Sequence, residues 1–374
     1  MRPNLRLLFV LPRKFPGTDA ASKHVSLLAR GLEELGHEVR VLGSPPSAAS
    51  REGASLVTRL SNHLLMPTRT ARAAAAAVDE QRPDAIITYG QSFHGLAPIL
   101  RLAKRKNRPL FVITTEIWTF SPDIALFSLD NLLYRKLTQP RIAGVLAISR
   151  EILADAARSG VPGFPLPALA DTSHPPVKAQ GDGWFNLVYV GPLFRRDLPG
   201  ALLEGFSRFH ARHPKSRLIV AGNVMSTKDG RKFARDVAAS PVLAGCVEIA
   251  GWVSDARLRE IMSEASAFVI LRQDDLISRA CFPFRLAGFM MTARPVILSA
   301  VGEPARLYAD KAAAFHVPPG SDPDALCDVL ALVAGDPELA ARVGAAGRLA
   351  CKAAQDYRTC SEGVAQFIAN TIDR

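Results

Sequence analysis

The sequence of 374 residues has no apolar run approaching the roughly 20 residues that a membrane-crossing helix requires. Near its start, in MRPNLRLLFVLPRKF, the apolar stretch is only LLFVL. Pro12, Arg13 and Lys14 end it, and no small-residue cleavage site follows. The segment therefore reads as the buried first strand of a cytoplasmic protein rather than as a signal peptide. Cysteine is scarce and unpatterned: Cys246, Cys281, Cys327, Cys351 and Cys360 are odd in number, lie in the second half and form no CxxC. That argues against a disulfide framework or a zinc site and for buried reduced thiols. No other metal-ligand cluster is visible, and no resident cofactor is expected. The dinucleotide fingerprint GxGxxG is also missing. PRKFPGTDAAS follows the first strand and GPLFRRDLPG follows FNLVYV, where Gly191 and Gly200 stand too far apart for that turn. Hydride transfer is thereby disfavoured. Disorder is excluded too, because 48% of residues are hydrophobic and only 22% charged, enough for two globular domains.

What is abundant is positive charge. Net charge is +11, and residues 1–175 hold 22 Lys and Arg against 14 Asp and Glu, so a surplus of 8 sits in the first half. The densest cluster is Arg101, Lys104, Arg105, Lys106 and Arg108. Such a half suits phospholipid headgroups, a phosphorylated substrate or nucleic acid, while the cluster alone reads equally as a solvated helix end. Residues 51–72 combine Arg51, Arg59, Arg69 and Arg72 with Val57, Leu60, Leu64 and Leu65, interrupted by Pro67. This reads either as a basic amphipathic segment for an anionic surface or as an ordinary surface helix with a protein-facing stripe.

Short apolar runs alternate with helical periodicity along the chain. LRLLFVL, HEVRVL, DAIITYG, PLFVITTE and AGVLAIS read as buried parallel strands. Between the first two, Val25, Leu28, Leu32 and Leu35 mark a helix face that stops at Gly36. From Val161 to Gly183 the sequence turns rich in Pro and Gly, a linker with room for one short strand. The alternation then restarts with FNLVYVG, RLIVAGN, CVEIAGW, AFVILR, RPVILS and AAAFHV. The expected fold class is α/β, two tandem doubly wound Rossmann-like domains facing across a cleft. The expected boundaries are 1–170, a linker at 171–183, a second domain at 184–354, and a final helix over 355–374.

In open parallel sheets ligands sit beyond the carboxyl ends of the strands, where helix N-termini favour phosphate. GPLFRRDLPG places Arg195 and Arg196 there, where two guanidiniums could clamp a diphosphate; a solvent-exposed turn is the alternative. FVILRQDDLISRACFPFRLAGF ends a strand at Arg272, and Phe282-Pro283 opens a helix carrying Arg285. A cation so near a helix N-terminus opposes the macrodipole, and a bound anion would explain it. Glu116, at the end of PLFVITTE and followed by Trp118, is a candidate acceptor-side carboxylate with an aromatic for sugar stacking. Trp118 reads equally as core. His24 and His94 also follow strand ends, and both read better as structural than as acid–base groups.

HVSLLARGLEELGHEVRVL, VLAISREILADAARSGVP, VYVGPLFRRDLPGALLEGF, VEIAGWVSDARLREIMSEASAFVILR and FPFRLAGFMMTARPVI occur in this order across nearly the whole chain. Together they resemble the retaining glycosyltransferases of family 4, of GT-B fold. The last resembles the FPTKLxExxAxGxPVI stretch of bacterial members that build surface polysaccharides. The resemblance implies a nucleotide-diphosphate-sugar donor bound by the C-terminal domain and a glycan or glycolipid acceptor on the N-terminal one. Neither metal nor nucleic acid is implied, and attachment at the inner face of the plasma membrane is open. Arg195 or Arg196 would fall near phosphate-binding positions, Arg285 would replace the Lys of FPTK, and Gly17 would mark a glycine-rich turn. The donor set is completed by Gly191, Arg272, Ser278 and Phe282, and catalysis would rest on Arg196, Arg285 and Glu116. One departure stands out: the family's E-x7-E pair falls on Ala280 and Gly288. Asp274, Asp275, Ser278 and Glu303 are the candidates to replace it. The departure also leaves open a degenerate, non-catalytic relative that binds a glycan or a partner enzyme.

Overall fold

The computed structural model describes residues 4–17, 19–44, 56–90, 92–117, 125–176, 183–320 and 322–373, with backbone alone for 56–64 and 125–128. Two compact units divide the chain. One comprises Met1–Leu169, Ala280–Phe282 and Gln355–Arg374, the other Ala170–Arg279 and Pro283–Ala354.

The first unit is built on strands β1 (Arg6–Val10), β2 (Glu38–Leu42), β3 (Ala85–Tyr89), β4 (Leu110–Thr114), β5 (Gly144–Ala147) and β6 (Gly163–Pro165). They form a parallel sheet of order β2-β1-β3-β4-β5-β6. β6, the short strand of the Pro/Gly-rich stretch, is its edge. β1, β3 and β4 are almost wholly buried, as their continuous apolar sequences demand. The helix Ala20–Glu34 starts where Asp19 accepts the N–H groups of Ala21 and Ser22, and buries Val25, Leu28 and Leu32. Gly36, at φ +86°, turns the chain into β2. The long helix Leu56–Gln81 contains Pro67, so the expected interruption there is absent. The C-terminal helix begins at Tyr357, capped by Asp356, and packs Tyr357, Val364 and Ile368 into the core beside Val25 and Leu28.

The second unit holds β7 (Phe185–Val190), β8 (Ser216–Ala221), β9 (Val247–Gly251), β10 (Ala267–Ile270), β11 (Val296–Ser299) and β12 (Phe315–Val317). The sheet is parallel, in order β12-β11-β10-β7-β8-β9. Phe206, Phe209, Leu218, Val269 and Phe315 fill its core. Strand order reverses between β7 and β10, so the connections leaving their carboxyl ends run in opposite directions, the place where doubly wound sheets have the crevice that binds ligands. In the first unit the reversal lies between β1 and β3. Among the described residues no helix is long and apolar enough to cross a membrane.

Candidate functional site

Both strands that flank the reversal in the second unit end in short polar loops. β7 runs into Gly191, whose φ of +128° favours glycine. The chain then makes a 3₁₀ turn over Arg195–Asp197 and starts the helix Pro199–Arg212 from Leu198, a left-handed residue at φ +51°. β10 runs into Leu271 and Arg272. The backbone N–H of Arg272 donates to Ser299 Oγ at 2.9 Å, and that of Gln273 to the Arg196 carbonyl at 3.0 Å. These bonds fasten the β7, β10 and β11 loops to one another.

A buried charge cluster lies inside this framework. Asp197 is 1% exposed, and its Oδ1 receives Arg285 Nη2 at 3.0 Å and lies 3.0 Å from Arg272 Nη1. Its Oδ2 accepts the Phe194 N–H at 3.1 Å. Arg285 is the second residue of the helix Phe284–Met291, whose N-cap is Pro283. Its guanidinium stacks 4.6 Å above the Tyr189 ring. Tyr189 in turn donates its hydroxyl to the Pro192 carbonyl at 2.9 Å. Burial pushes the Tyr189 phenol up to about 12, so it stays protonated. Burial works against the charge on Arg285, but the neighbouring Tyr189 and Asp197 outweigh it and hold the guanidinium more firmly protonated than usual. The cluster thus holds two fixed positive charges against one negative. Arg285 Nε, also buried, has no hydrogen-bond partner among the described residues.

Of the residues singled out from the sequence, Gly191, Arg272 and Arg285 come together. A Cβ on Gly191 would lie 2.7 Å from Arg285 Nη1, so the glycine makes room for the guanidinium. Arg196 is near in the chain, with its guanidinium 5.5 Å over the Phe194 ring and its Nε buried without a hydrogen-bond partner among the described residues. Arg195 is apart from the cluster. It is exposed and lines a cavity of about 310 Å³ with Leu198, Gly200, Lys232 and Phe233. Ser278 is buried in the helix Leu276–Ala280, its N–H bonded to Asp275 Oδ1 at 2.7 Å. Asp274 is occupied by Arg279 at 2.9 Å. Glu303 opens the helix Gly302–Leu307 and pairs with Arg306 at 2.9 Å. Phe282 is buried and clusters with the first unit. Gly288 lies exposed in the helix Phe284–Met291, with nothing within 4 Å of an added Cβ.

At the reversal in the first unit, Arg13 lies 5.0 Å over the Tyr89 ring and 3.2 Å from Asp19 Oδ1. Tyr89 and Thr115 share a hydroxyl hydrogen bond of 3.0 Å, next to half-buried Glu116. Gly17 packs against the cap, since a Cβ there would meet Ser22 Oγ at 2.8 Å and Asp19 Oδ2 at 2.9 Å. His24 is buried against the Pro167 carbonyl at 3.0 Å, and burial holds its pKa down to about 4, in keeping with a structural role. The His94 N–H donates to Asp130 Oδ1 at 2.8 Å. Trp118 and residues 51–55 fall outside the described residues.

Asp197 and Tyr189 escaped notice in the sequence. An acid directly after a pair of arginines reads as a surface ion pair, and only the meeting of the β7 loop, the β10 loop and the helix Phe284–Met291 shows it to be buried. The signal available was the unusual position of Arg285, which required a counter-charge from elsewhere in the chain.

Residues 20–166 match the glycosyl transferase 4-like domain, and residues 174–350 match the family described as glycosyl transferases group 1. No curated protein matches the sequence. Among solved structures, sucrose-phosphate synthase from Thermosynechococcus elongatus is similar at TM-score 0.78 and 17% identity, covering 98% of each chain. Anabaena HepE, in complex with UDP and glucose, superposes at TM-score 0.72 and 14% identity, covering 98% of this chain and 100% of its own. The lipopolysaccharide outer core galactosyltransferase WaaB reaches TM-score 0.64 at 13% identity, over 98% of this chain and 99% of its own. At these identities the likenesses establish the two-domain Rossmann-like GT-B fold.

Proposed function

The chain belongs to the group 1 glycosyltransferases of GT-B fold, and on that premise we propose that it moves a hexosyl group from a nucleotide-diphosphate sugar to a hydroxyl of a glycan or glycolipid, with retention of configuration and without a resident metal. The observation that carries this reading is the buried cluster of Arg272, Arg285 and Asp197 at the strand-order reversal. Its uncompensated positive charge suits a diphosphate. The UDP held by HepE and the glycan-directed name of WaaB support the donor and acceptor classes.

In this mechanism the bond between the anomeric carbon and the donor phosphate oxygen lengthens, and negative charge grows on the departing diphosphate. Arg285, Arg272 and Arg196 stabilise that charge, which accounts for catalysis by preorganised electrostatics. The acceptor oxygen attacks the same face of an oxocarbenium-like sugar, and its proton passes to the departing phosphate oxygen. In the first unit Glu116 is the proposed ligand of the acceptor hydroxyl, beside the Tyr89–Thr115 pair. Donor hydroxyls fall to Glu303 and Ser278 in place of the missing glutamates. A glycolipid acceptor would place the protein at the cytoplasmic face of a membrane. Leu129, Leu132 and Leu137, exposed beside Lys136, support that placement.

The test is calorimetric titration with a panel of nucleotide-diphosphate sugars. Arg285→Ala and Arg196→Ala should each weaken donor binding by about 10- to 150-fold, the worth of a charged hydrogen bond of about 1.5–3 kcal/mol. Unchanged affinity in both variants removes the clamp. Ala280 and Gly288 favour one rival, a binder without catalysis, and donor hydrolysis measured on the same protein separates the two.

A further inference from the structure

Resting on the donor site just described, we propose that Asp197 is the positioning residue of that site, a single carboxylate that orients both phosphate-facing guanidiniums and lowers their combined charge. Three features of the geometry lead there. First, one oxygen, Oδ1, serves both arginines at 3.0 Å, as hydrogen-bond acceptor for Arg285 and as ion-pair partner for Arg272, so the two guanidiniums share one counter-charge. Second, the carboxylate is itself fixed. Its Oδ2 takes the Phe194 N–H at 3.1 Å, and its own N–H donates to the Phe194 carbonyl at 2.8 Å, so the 3₁₀ turn holds it rigidly. Third, the two arginines stand on different elements, Arg272 just after β10 and Arg285 in the helix Phe284–Met291, 13 positions apart in the sequence, with no backbone hydrogen bond between them. The shared carboxylate links the pair, and the Tyr189 ring lies under Arg285.

The physical consequence is a division of labour. Two guanidiniums without a counter-charge would attract a diphosphate strongly but repel each other, and would settle in a geometry set by that repulsion. With Asp197 between them, their positions are set before the ligand arrives. Arg285 Nε, buried and lacking a hydrogen-bond partner among the described residues, remains to be satisfied by an incoming anion. Asp197 therefore contributes to rate through orientation and opposes binding through its charge. Removing the charge while keeping the shape should shift these two effects in opposite directions.

Asp197→Asn makes that separation. The expected result is a fall in kcat of tenfold or more with no rise in the donor KM. Inorganic pyrophosphate should raise the melting temperature of the variant by more than it raises that of the wild type, because the anion takes over the neutralising role. Asp197→Glu, which retains the charge, should recover part of kcat. If Asp197→Asn keeps wild-type kcat, KM and pyrophosphate response, the positioning role is refuted while the donor site stands. Parallel loss of kcat and of the pyrophosphate response would refute it as well, since a merely structural acid behaves that way. Should Asp197→Asn fail to fold, Asp197→Glu carries the test: its carboxylate is shifted by one methylene, so a kcat below that of the wild type with the donor KM not raised is expected, and wild-type kcat there overturns the proposal. A wild-type protein that binds neither pyrophosphate nor any nucleotide-diphosphate sugar overturns the donor site itself, and this inference with it.

Discussion

Replacing Gly191 by alanine adds a single methyl group, and the structure specifies two separate costs. The residue sits at φ +128°, a conformation that a side chain adopts only under strain of about 1–3 kcal/mol. The new Cβ would also lie 2.7 Å from Arg285 Nη1, so the guanidinium must retreat by about 0.7 Å to reach an ordinary contact of 3.4 Å. It has little room to do so, being bonded to Asp197 at 3.0 Å and stacked on Tyr189 at 4.6 Å. The strain should lower the melting temperature by about 2–4 °C per kcal/mol for a unit of this size. Displacement of the guanidinium should weaken donor binding by at least tenfold, given about 1.5–3 kcal/mol for a hydrogen bond to a charged group. Gly200→Ala is the matched control. It lies in the helix Pro199–Arg212 with nothing within 4 Å of an added Cβ, so it should stabilise by about 0.5–1 kcal/mol and leave binding intact. Differential scanning fluorimetry and calorimetric titration on the two variants decide the matter. If Gly191→Ala melts with Gly200→Ala and binds donor like the wild type, the reasoning about Arg285 is wrong.

Two further predictions concern other positions. His24 has its pKa held down to about 4 by burial, against 6.5 when unfolded, so the unfolded chain binds more protons between these values and stability falls as pH drops through that window. The loss should be about 3 kcal/mol from pH 7 to pH 4, read as the difference in urea unfolding between the wild type and His24→Gln. A variant with the same acid sensitivity as the wild type would clear His24 of that role. Gly288 faces open space within a helix, so Gly288→Glu should fold normally, and an added carboxylate there should tighten donor binding. Unchanged affinity in a folded variant removes position 288 from the donor site.

Most of the fold was legible because each strand is a nearly continuous apolar run, and such runs have one stable home, the middle of a parallel sheet. DAIITYG and AFVILR became β3 and β10 within a residue or two. Pro67 was misread because a proline inside a helix is ordinarily a break, yet here the helix Leu56–Gln81 continues through it. The candidate site was legible only in part. Arg285 stood out by opposing its helix macrodipole, and Arg272 by ending a strand, both of which are local features. Arg195 and Arg196 are neighbours in sequence and yet differ in environment, since the 3₁₀ turn leaves one exposed and buries the Nε of the other. That difference depends on the direction of a single turn, and no composition or periodicity encodes it. Asp197 was beyond reach for the same reason: its partners lie 75 and 88 positions away.

The buried cluster also bears on whether the protein catalyses or only binds. Burying a carboxylate against two largely covered guanidiniums is not an economical way to hold a fold together. Apolar replacement of such a group commonly leaves a protein equally stable or about 1–4 kcal/mol more stable. Asp197, Arg272 and Arg285 are therefore better explained by the proposed ligand than by stability, and the one positive charge in excess suits the anionic donor proposed above. A module for neutral glycans gains nothing from that excess, whereas a diphosphate does. By the family resemblance, the glutamates missing at positions 280 and 288 would serve the other end of the donor, the sugar and ribose hydroxyls, and not the phosphate end. The catalytic reading thus rests on the phosphate end, and the rival, a binder of a glycan or a partner enzyme, rests on the missing glutamates. Phosphate binding alone does not distinguish them; turnover of the glycosidic phosphate bond does, and it depends on guanidiniums that the fold has already oriented.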